Sequence, residues 1–314
     1  MPYRLNQRRN SGLIVAGIEG MKCTMSAPRT RIRSWLFAPG DSERKMTKAI
    51  ASDADRVILD LEDSVALEAK PEARRMVAAV LAEAGEAGRD RIWVRINPLG
   101  GGLAPDDLAA IMAARPGGIM LPKAETGADL VELDTLLTNL EETPGSTAVH
   151  PLVTETAAAM FGTGTYRGAP RMAAMSWGAE DLADSLGALG NLGADGRHRP
   201  TYELARSLCL LGAAAAGVPA IETIMQDFRD LAGLKARAAM VRRDGFRGML
   251  AIHPDQVPVI NAAFTPDEDE IAEAREIVRL FADNPGVGTI AGPKGMLDRP
   301  HLSRAHQTLA QLDE

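Results

Sequence analysis

Cysteine is almost absent from this chain: Cys23 and Cys209 are the only two among 314 residues. That excludes a disulfide framework and a zinc–cysteine cluster, and it fits a reducing, cytoplasmic compartment. Long hydrophobic runs are missing too. Nothing approaches the ~20 apolar residues that span a bilayer, so no membrane association is expected. Near the N-terminus, RLNQRRNSGLIVAGIEG places basic residues before a seven-residue apolar run that Glu19 ends. Residues 1–29 read as a flexible leader or an over-long start rather than a signal peptide, with Met21 and Met25 as alternative beginnings. Positive charge is in deficit, 35 Lys and Arg against 42 Asp and Glu, for a net −7. Nucleic-acid binding is therefore disfavoured. There is no internal repeat, no low-complexity linker, and no histidine before His150.

What is present is alternation. Short apolar runs bounded by Gly, Pro or Asp predict strands at 33–39, 56–61, 91–96, 117–123, 147–155, 171–178, 218–221 and 247–252. Longer runs of helical period separate them. Eight strand–helix units are the requirement of a (β/α)8 TIM barrel, whose usual size is about 250 residues. Residues 30–265 supply that length, and 266–314 remain for a C-terminal helix and lid. A doubly wound sheet would need a Gly-rich phosphate turn after the first strand. APGDSER stands there instead.

In such a barrel the C-terminal strand ends form the catalytic rim. Here that rim is polar. It carries Asp60, Glu62 and Asp63 in RVILDLEDSV, then Arg95 and Asn97, Lys123, Glu155, Glu180 and Asp181, Glu222 and Asp227, and His253. Carboxylates at the end of an apolar strand require a positive partner. Arg95, Lys123 and a hydrated metal are the candidates. Each residue also has a plainer reading: an ion pair for a strand-end Arg, a barrel-floor ion pair for Asp60, a turn cap for Asp63, a helix N-terminus for Asp181. Oxygen ligands in excess, with no Cys–His cluster, suit a hard cation such as Mg²⁺. Glu155 and Asp181 end adjacent strands, where one ion could bridge them.

The ordered stretches RSWLFAPGDSERKMTKA, DRVILDLEDSVALEAKPEAR, VRIN, LPKAE, VTETAAAM, WGAEDL and AIHPDQVPVIN resemble the citrate lyase β-subunit-like family of the HpcH/HpaI aldolase superfamily. The resemblance covers about residues 31–312. It implies a (β/α)8 barrel, a Mg²⁺ ion, and cleavage or formation of a carbon–carbon bond in a 3-hydroxyacyl-CoA such as malyl-CoA, citramalyl-CoA or citryl-CoA. Glu155 and Asp181 match the family's metal ligands, Arg95 the Arg of its RIN motif, and Asp60, Glu62 and Asp63 its strand-end acids. Phe37, Pro39, Gly40 and Lys48 match its coenzyme A contacts, and Lys123 is a further candidate for binding substrate or coenzyme A. Ser42 stands where the family often carries a basic residue, with Arg44 as the substitute. The tail GPKGMLDRPHLSRA resembles the family's lid, whose acid, here Asp298, often reaches a neighbouring subunit's site. That implies a homo-oligomer, a trimer or hexamer.

The roles implied are chelation of a hydroxy- or oxo-carboxylate by Mg²⁺, stabilisation of the thioester enolate by Arg95, and proton transfer by Asp298, with Glu62 or Asp63 holding Arg95 or metal-bound water. The products would be an acyl-CoA and a small 2-oxo acid. Adding water to the thioester would make a thioesterase. A pyruvate-dependent aldolase of the same superfamily uses an early histidine, which this chain lacks. A citrate lyase β subunit working on an acyl-carrier-protein thioester, and a non-catalytic thioester-binding regulatory protein, are the remaining alternatives.

Overall fold

The computed structural model of the chain describes residues 32–312, so the expected leader lies outside the described residues. Eight parallel strands close in chain order into a barrel. They are β1 (Ser34–Pro39), β2 (Arg56–Asp60), β3 (Ile92–Arg95), β4 (Gly118–Ala124), β5 (Ala148–Val153), β6 (Met175–Trp177), β7 (Ala220–Glu222) and β8 (Gly248–Ala251). Each lies inside an expected run or oversteps it by one residue, and β1 pairs with β8 to close the ring.

A strand buried on both faces reads as a continuous apolar run, and the two faces have separate tasks. Trp35, Ile58, Trp93, Met120, Leu152, Ile221 and Leu250 fill the barrel interior. Leu36, Val57, Leu59, Val94, Ile119 and Val149 face the helices. His150 belongs to the interior. Its Nε2 lies 2.6 Å from Ser176 Oγ and its ring stands edge-on to Trp35. Burial pulls its pKa down to about 3, so it sits there neutral.

The helices are α1 (Glu43–Ile50), α2 (Lys70–Glu83), α3 (Gly85–Arg89), α4 (Ala104–Ile111), α5 (Gly127–Thr138), α6 (Ala179–Ser185), α7 (Pro200–Ala216), α8 (Leu231–Asp244), α9 (Gln256–Ala263), α10 (Glu268–Asp283) and α11 (Arg299–Ala310). Capping boxes begin α5, with Thr126 and Asp129, and α10, with Asp267 and Glu270. No described helix is long and apolar enough to cross a membrane.

The C-terminal segment is more ordered than its glycines suggest. Residues 289–298 form an antiparallel hairpin, β9 (Thr289–Gly292) and β10 (Gly295–Asp298), before α11 packs on α10. Its turn needs Gly295, whose φ of +132° a side chain would resist.

Candidate active site

Asp60 and Arg95 are register partners at the ends of β2 and β3. Arg95 Nε and Nη2 donate to the two Asp60 oxygens, each at 2.7 Å. Burial opposes ionisation of Asp60, yet the Arg95 charge and hydrogen bonds win and hold its pKa below the ordinary carboxylate range. Burial also penalises the Arg95 cation, and Asp60 and Glu62 outweigh that penalty. The guanidinium lies over the Phe37 ring, 4.8 Å from its centroid. The barrel-floor reading of Asp60 is thus corrected, because its ion pair stands at the rim. Asp60 also accepts from the amides of Glu62 (3.0 Å) and Ser64 (3.1 Å). Asp60, rather than Asp63, therefore caps the turn after β2.

Lys123 occupies a break in β4, where the register with β5 shifts between Leu121 and Ala124. Its φ is +51°, in the left-handed region that costs a branched side chain most. The bend gives one residue two tasks. The Lys123 amide donates to Glu155 Oε2 at 2.6 Å. The ammonium forms a short contact with Glu62 Oε1 and lies 3.0 Å from Asp181 and 3.4 Å from Asp63. Burial disfavours the ammonium, but Glu62 and Asp181 raise its pKa beyond the ordinary lysine value.

Glu62 is 3% exposed and bridges the two cations. Arg95 Nη1 lies 2.9 Å from Glu62 Oε2 as an ion pair, but no donor is aligned with that oxygen, which keeps an unused buried acceptor. Burial raises the Glu62 pKa despite Arg95 and Lys123. Glu155, just past β5, is buried as well. Burial pushes its carboxyl well above the ordinary value, and like-charge repulsion from Asp181 and Glu62 adds to it. Asp181 comes from the first turn of α6. Gly178 makes this packing possible: a Cβ there would stand 2.5 Å from Glu155 Oε1.

The cluster borders a cavity of about 670 Å³ at the C-terminal mouth of the barrel, but Glu62 and Lys123 are not among its lining residues, so the expected substrate or coenzyme A contact by Lys123 is replaced by its ion pairs with Glu62 and Asp181. Asp60, Asp63, Arg95, Glu155 and Asp181 line it on the charged side, and Leu152, Trp177 and Leu250 line it on the apolar side. Phe37, Pro39, Arg44 and Lys48, the residues expected to contact coenzyme A, line the same cavity. Sequence reading missed Lys45, which lines the same edge. Its i, i+3 spacing from Lys48 was the available signal. Arg44, Lys45 and Lys48 are exposed and have no ion-pair partner among the described residues.

Other expected residues lie elsewhere. Gly40 does not line the cavity, and its lack of a side chain serves packing: a Cβ would stand 2.7 Å from the Asp60 carbonyl. Asn97 is buried against Leu61 O and Asp107. Glu222 does not line the cavity and pairs with Arg237 at 2.7 Å. Asp227 accepts from the Arg229 amide in a loop. Glu180 and His253 do line the cavity, the latter with its ring stacked on Phe228. Asp298 does not reach this chain's cavity. It opens α11, where His301 Nδ1 lies 2.5 Å from its Oδ1, and that contact lowers the Asp298 pKa.

The family model for HpcH/HpaI aldolase/citrate lyase matches residues 33–254, a span that contains all eight strands and every cavity residue named above. The chain belongs to that family. Among its relatives, a (3S)-malyl-CoA thioesterase of Cereibacter sphaeroides is 34% identical over 288 residues, 90% of this chain and 94% of the relative. The human mitochondrial citramalyl-CoA lyase is 28% identical, over 98% of this chain and 97% of the relative. Among solved structures, this chain is similar to the crystal structure of CitE from Mycobacterium tuberculosis in complex with magnesium, acetoacetate and coenzyme A. It superposes with a TM-score of 0.76 at 34% identity, covering 90% of this chain and 98% of that one.

Proposed function

We propose that this protein is a Mg²⁺-dependent carbon–carbon lyase that cleaves, or forms, a 3-hydroxyacyl-CoA, with an acyl-CoA and a 2-oxo acid as the other side of the reaction. One observation carries the reading. A crowded acid pair, Glu155 and Asp181, opens on the same cavity as three unpaired cations of α1. The first feature asks for a cation and the second for a polyanion.

The residues fit Mg²⁺. Among the described residues Glu155, Asp181, Glu62 and Asp63 face Lys123 and an Arg95 already committed to Asp60. Among the described residues no three acidic, histidine or cysteine side chains form a protein-only cage. That suits an ion that takes one or two carboxylates and keeps open positions. Glu155 and Asp181 would hold it. Bound there, it would act as a Lewis acid toward the substrate carboxylate and its neighbouring oxygen. Arg95 uses Nε–H and one Nη2–H on Asp60, so three of its five N–H groups remain for substrate and for Glu62. Those are the donors for the developing thioester enolate oxygen. Arg44, Lys45 and Lys48 bind the phosphates of coenzyme A.

In cleavage, the hydroxyl proton passes to water in the open cavity mouth as the bond between hydroxyl carbon and thioester α-carbon breaks. The hydroxyl carbon becomes the oxo group, and the electron pair forms the enolate, which is protonated to the acyl-CoA. Asp298 supplies the proton transfer at the α-carbon from a neighbouring subunit's hairpin and α11, so the working enzyme is a homo-oligomer, a trimer or a multiple of it.

The test is the isolated protein against malyl-CoA, citramalyl-CoA and citryl-CoA, with and without Mg²⁺. Release of acyl-CoA and 2-oxo acid supports the lyase. Free coenzyme A and hydroxy acid would instead establish a thioesterase, a second reading favoured by the name of the 34%-identical relative. Turnover only on an acyl-carrier-protein thioester would make the chain a complex subunit, and no turnover on either would overturn the proposal.

A further inference from the structure

Lys70 opens α2 and is 8% exposed. Among the described residues its ammonium meets no carboxylate; it donates to two backbone carbonyls, Leu61 O and Glu62 O, each at 2.8 Å. Local chemistry disfavours this placement. A buried ammonium without a counter-ion is costly, and the first turn of a helix is the positive end of its dipole. Hydrogen-bond satisfaction does not explain it either. Leu61 O also accepts from Asn97 Nδ2 at 3.0 Å, and Glu62 O from the Val65 amide at 3.2 Å. Neither carbonyl would be left bare without Lys70. A local rule broken this way points to function.

The ammonium reaches the turn that carries the acids. Asp60 grips that turn by the amides of Glu62 and Ser64, and Lys70 grips it by the carbonyls. Held from both sides, the turn aims the Glu62 carboxylate at Arg95 and Lys123. We infer that Lys70 is a positioning residue for the proposed reaction, fixing the Leu61 and Glu62 carbonyls so that Glu62 stays between Arg95 and Lys123. This rests on the functional reading above. Lys70 touches no substrate and acts only through Glu62.

A double-mutant cycle tests it. Lys70→Met keeps the length and removes the donor. It should fold and lose about 10–100-fold in kcat, the usual effect of an outer-shell partner, with KM for the CoA thioester within about twofold because α1 is untouched. In a Glu62→Gln background the same change should add almost nothing. Hydrogen exchange should speed up in residues 61–65 and stay unchanged in β5 and β6. Normal kcat in Lys70→Met, or losses that multiply in the double variant, would overturn the inference. If Lys70→Met does not fold, Lys70→Gln, which is shorter and uncharged and keeps two N–H donors, enters the same cycle under the same criteria. Should the wild type turn over no thioester, the functional reading fails on its own, and the exchange measurement still decides whether Lys70 holds the turn.

Discussion

Arg95 grips Asp60 at two points, Nε to Oδ1 and Nη2 to Oδ2, both 2.7 Å and both at the cavity edge. A buried carboxylate so paired fixes the plane of the guanidinium, and the remaining N–H groups are aimed by that constraint. Lysine at the same place keeps a charge but not the fork. Arg95→Lys should therefore lose on the order of 10²–10³ in kcat, measured with the preferred CoA thioester. Near-normal turnover would refute the role given to Arg95.

Gly178 precedes α6 with φ −122° and ψ 121°, a conformation any residue adopts. Alanine is thus permitted by the backbone and opposed by Glu155, whose Oε1 stands 2.5 Å from the added carbon. Gly178→Ala should melt like wild type, bind Mg²⁺ at least about tenfold more weakly by calorimetry, and lose turnover in parallel. Unchanged Mg²⁺ affinity would remove Glu155 from the metal site.

Lys45 and Lys48 are exposed on the cavity edge. Their joint replacement by Ala should raise KM for a CoA thioester about five- to tenfold, at up to ~0.7 kcal/mol for each exposed charge contact, and leave kcat nearly unchanged. Added salt should shrink the difference. A kcat defect with constant KM would place the coenzyme elsewhere.

Away from the site, Glu141 offers a stability test. Its carboxylate accepts from Arg171 Nη1, the Thr147 amide and the Gly145 amide, at 2.6, 2.7 and 2.8 Å. Burial raises its pKa, but Arg171 and these bonds pull it down to about 2. A depressed carboxylate contributes stability that is complete above its unfolded pKa and is lost as pH falls through its folded value. Glu141→Gln should cost about 1–3 kcal/mol at neutral pH. The gap to wild type in urea melts should narrow between the ordinary glutamate range and about pH 2. A gap independent of pH would mean that the charge of Glu141 contributes nothing.

The lid assignment has its own test. Asp298 lies outside the cavity of its own chain, so a catalytic role requires a neighbour. Asp298→Ala and Glu155→Ala, each inactive, should recover part of the activity when mixed and reassembled, since some sites then combine an intact barrel with an intact lid. No recovery despite proven subunit exchange would exclude action in trans.

The barrel was legible in the sequence because a parallel strand buried on both faces is written as an unbroken apolar run, as Val57–Ile58–Leu59 shows. The rim was legible because apolar strands ending in Asp60, Arg95, Lys123 and Glu155 have no reason to end so unless the ends meet. The hairpin of residues 289–298 was not legible: its pairing is local, but its mostly exposed strands carry little hydrophobic alternation. Which charge met which was also left to the tertiary structure. Asp60 and Arg95 are 35 residues apart and Lys123 and Glu62 are 61 apart. Only closure of the barrel chose these partners. The same holds for Lys70, which reads as an ordinary exposed lysine at the start of a helix until α2 packs it under the Leu61 and Glu62 carbonyls. Local sequence determines where a chain turns polar; long-range packing determines which polar groups share one low-dielectric space, and that sharing sets their charge states and their chemistry.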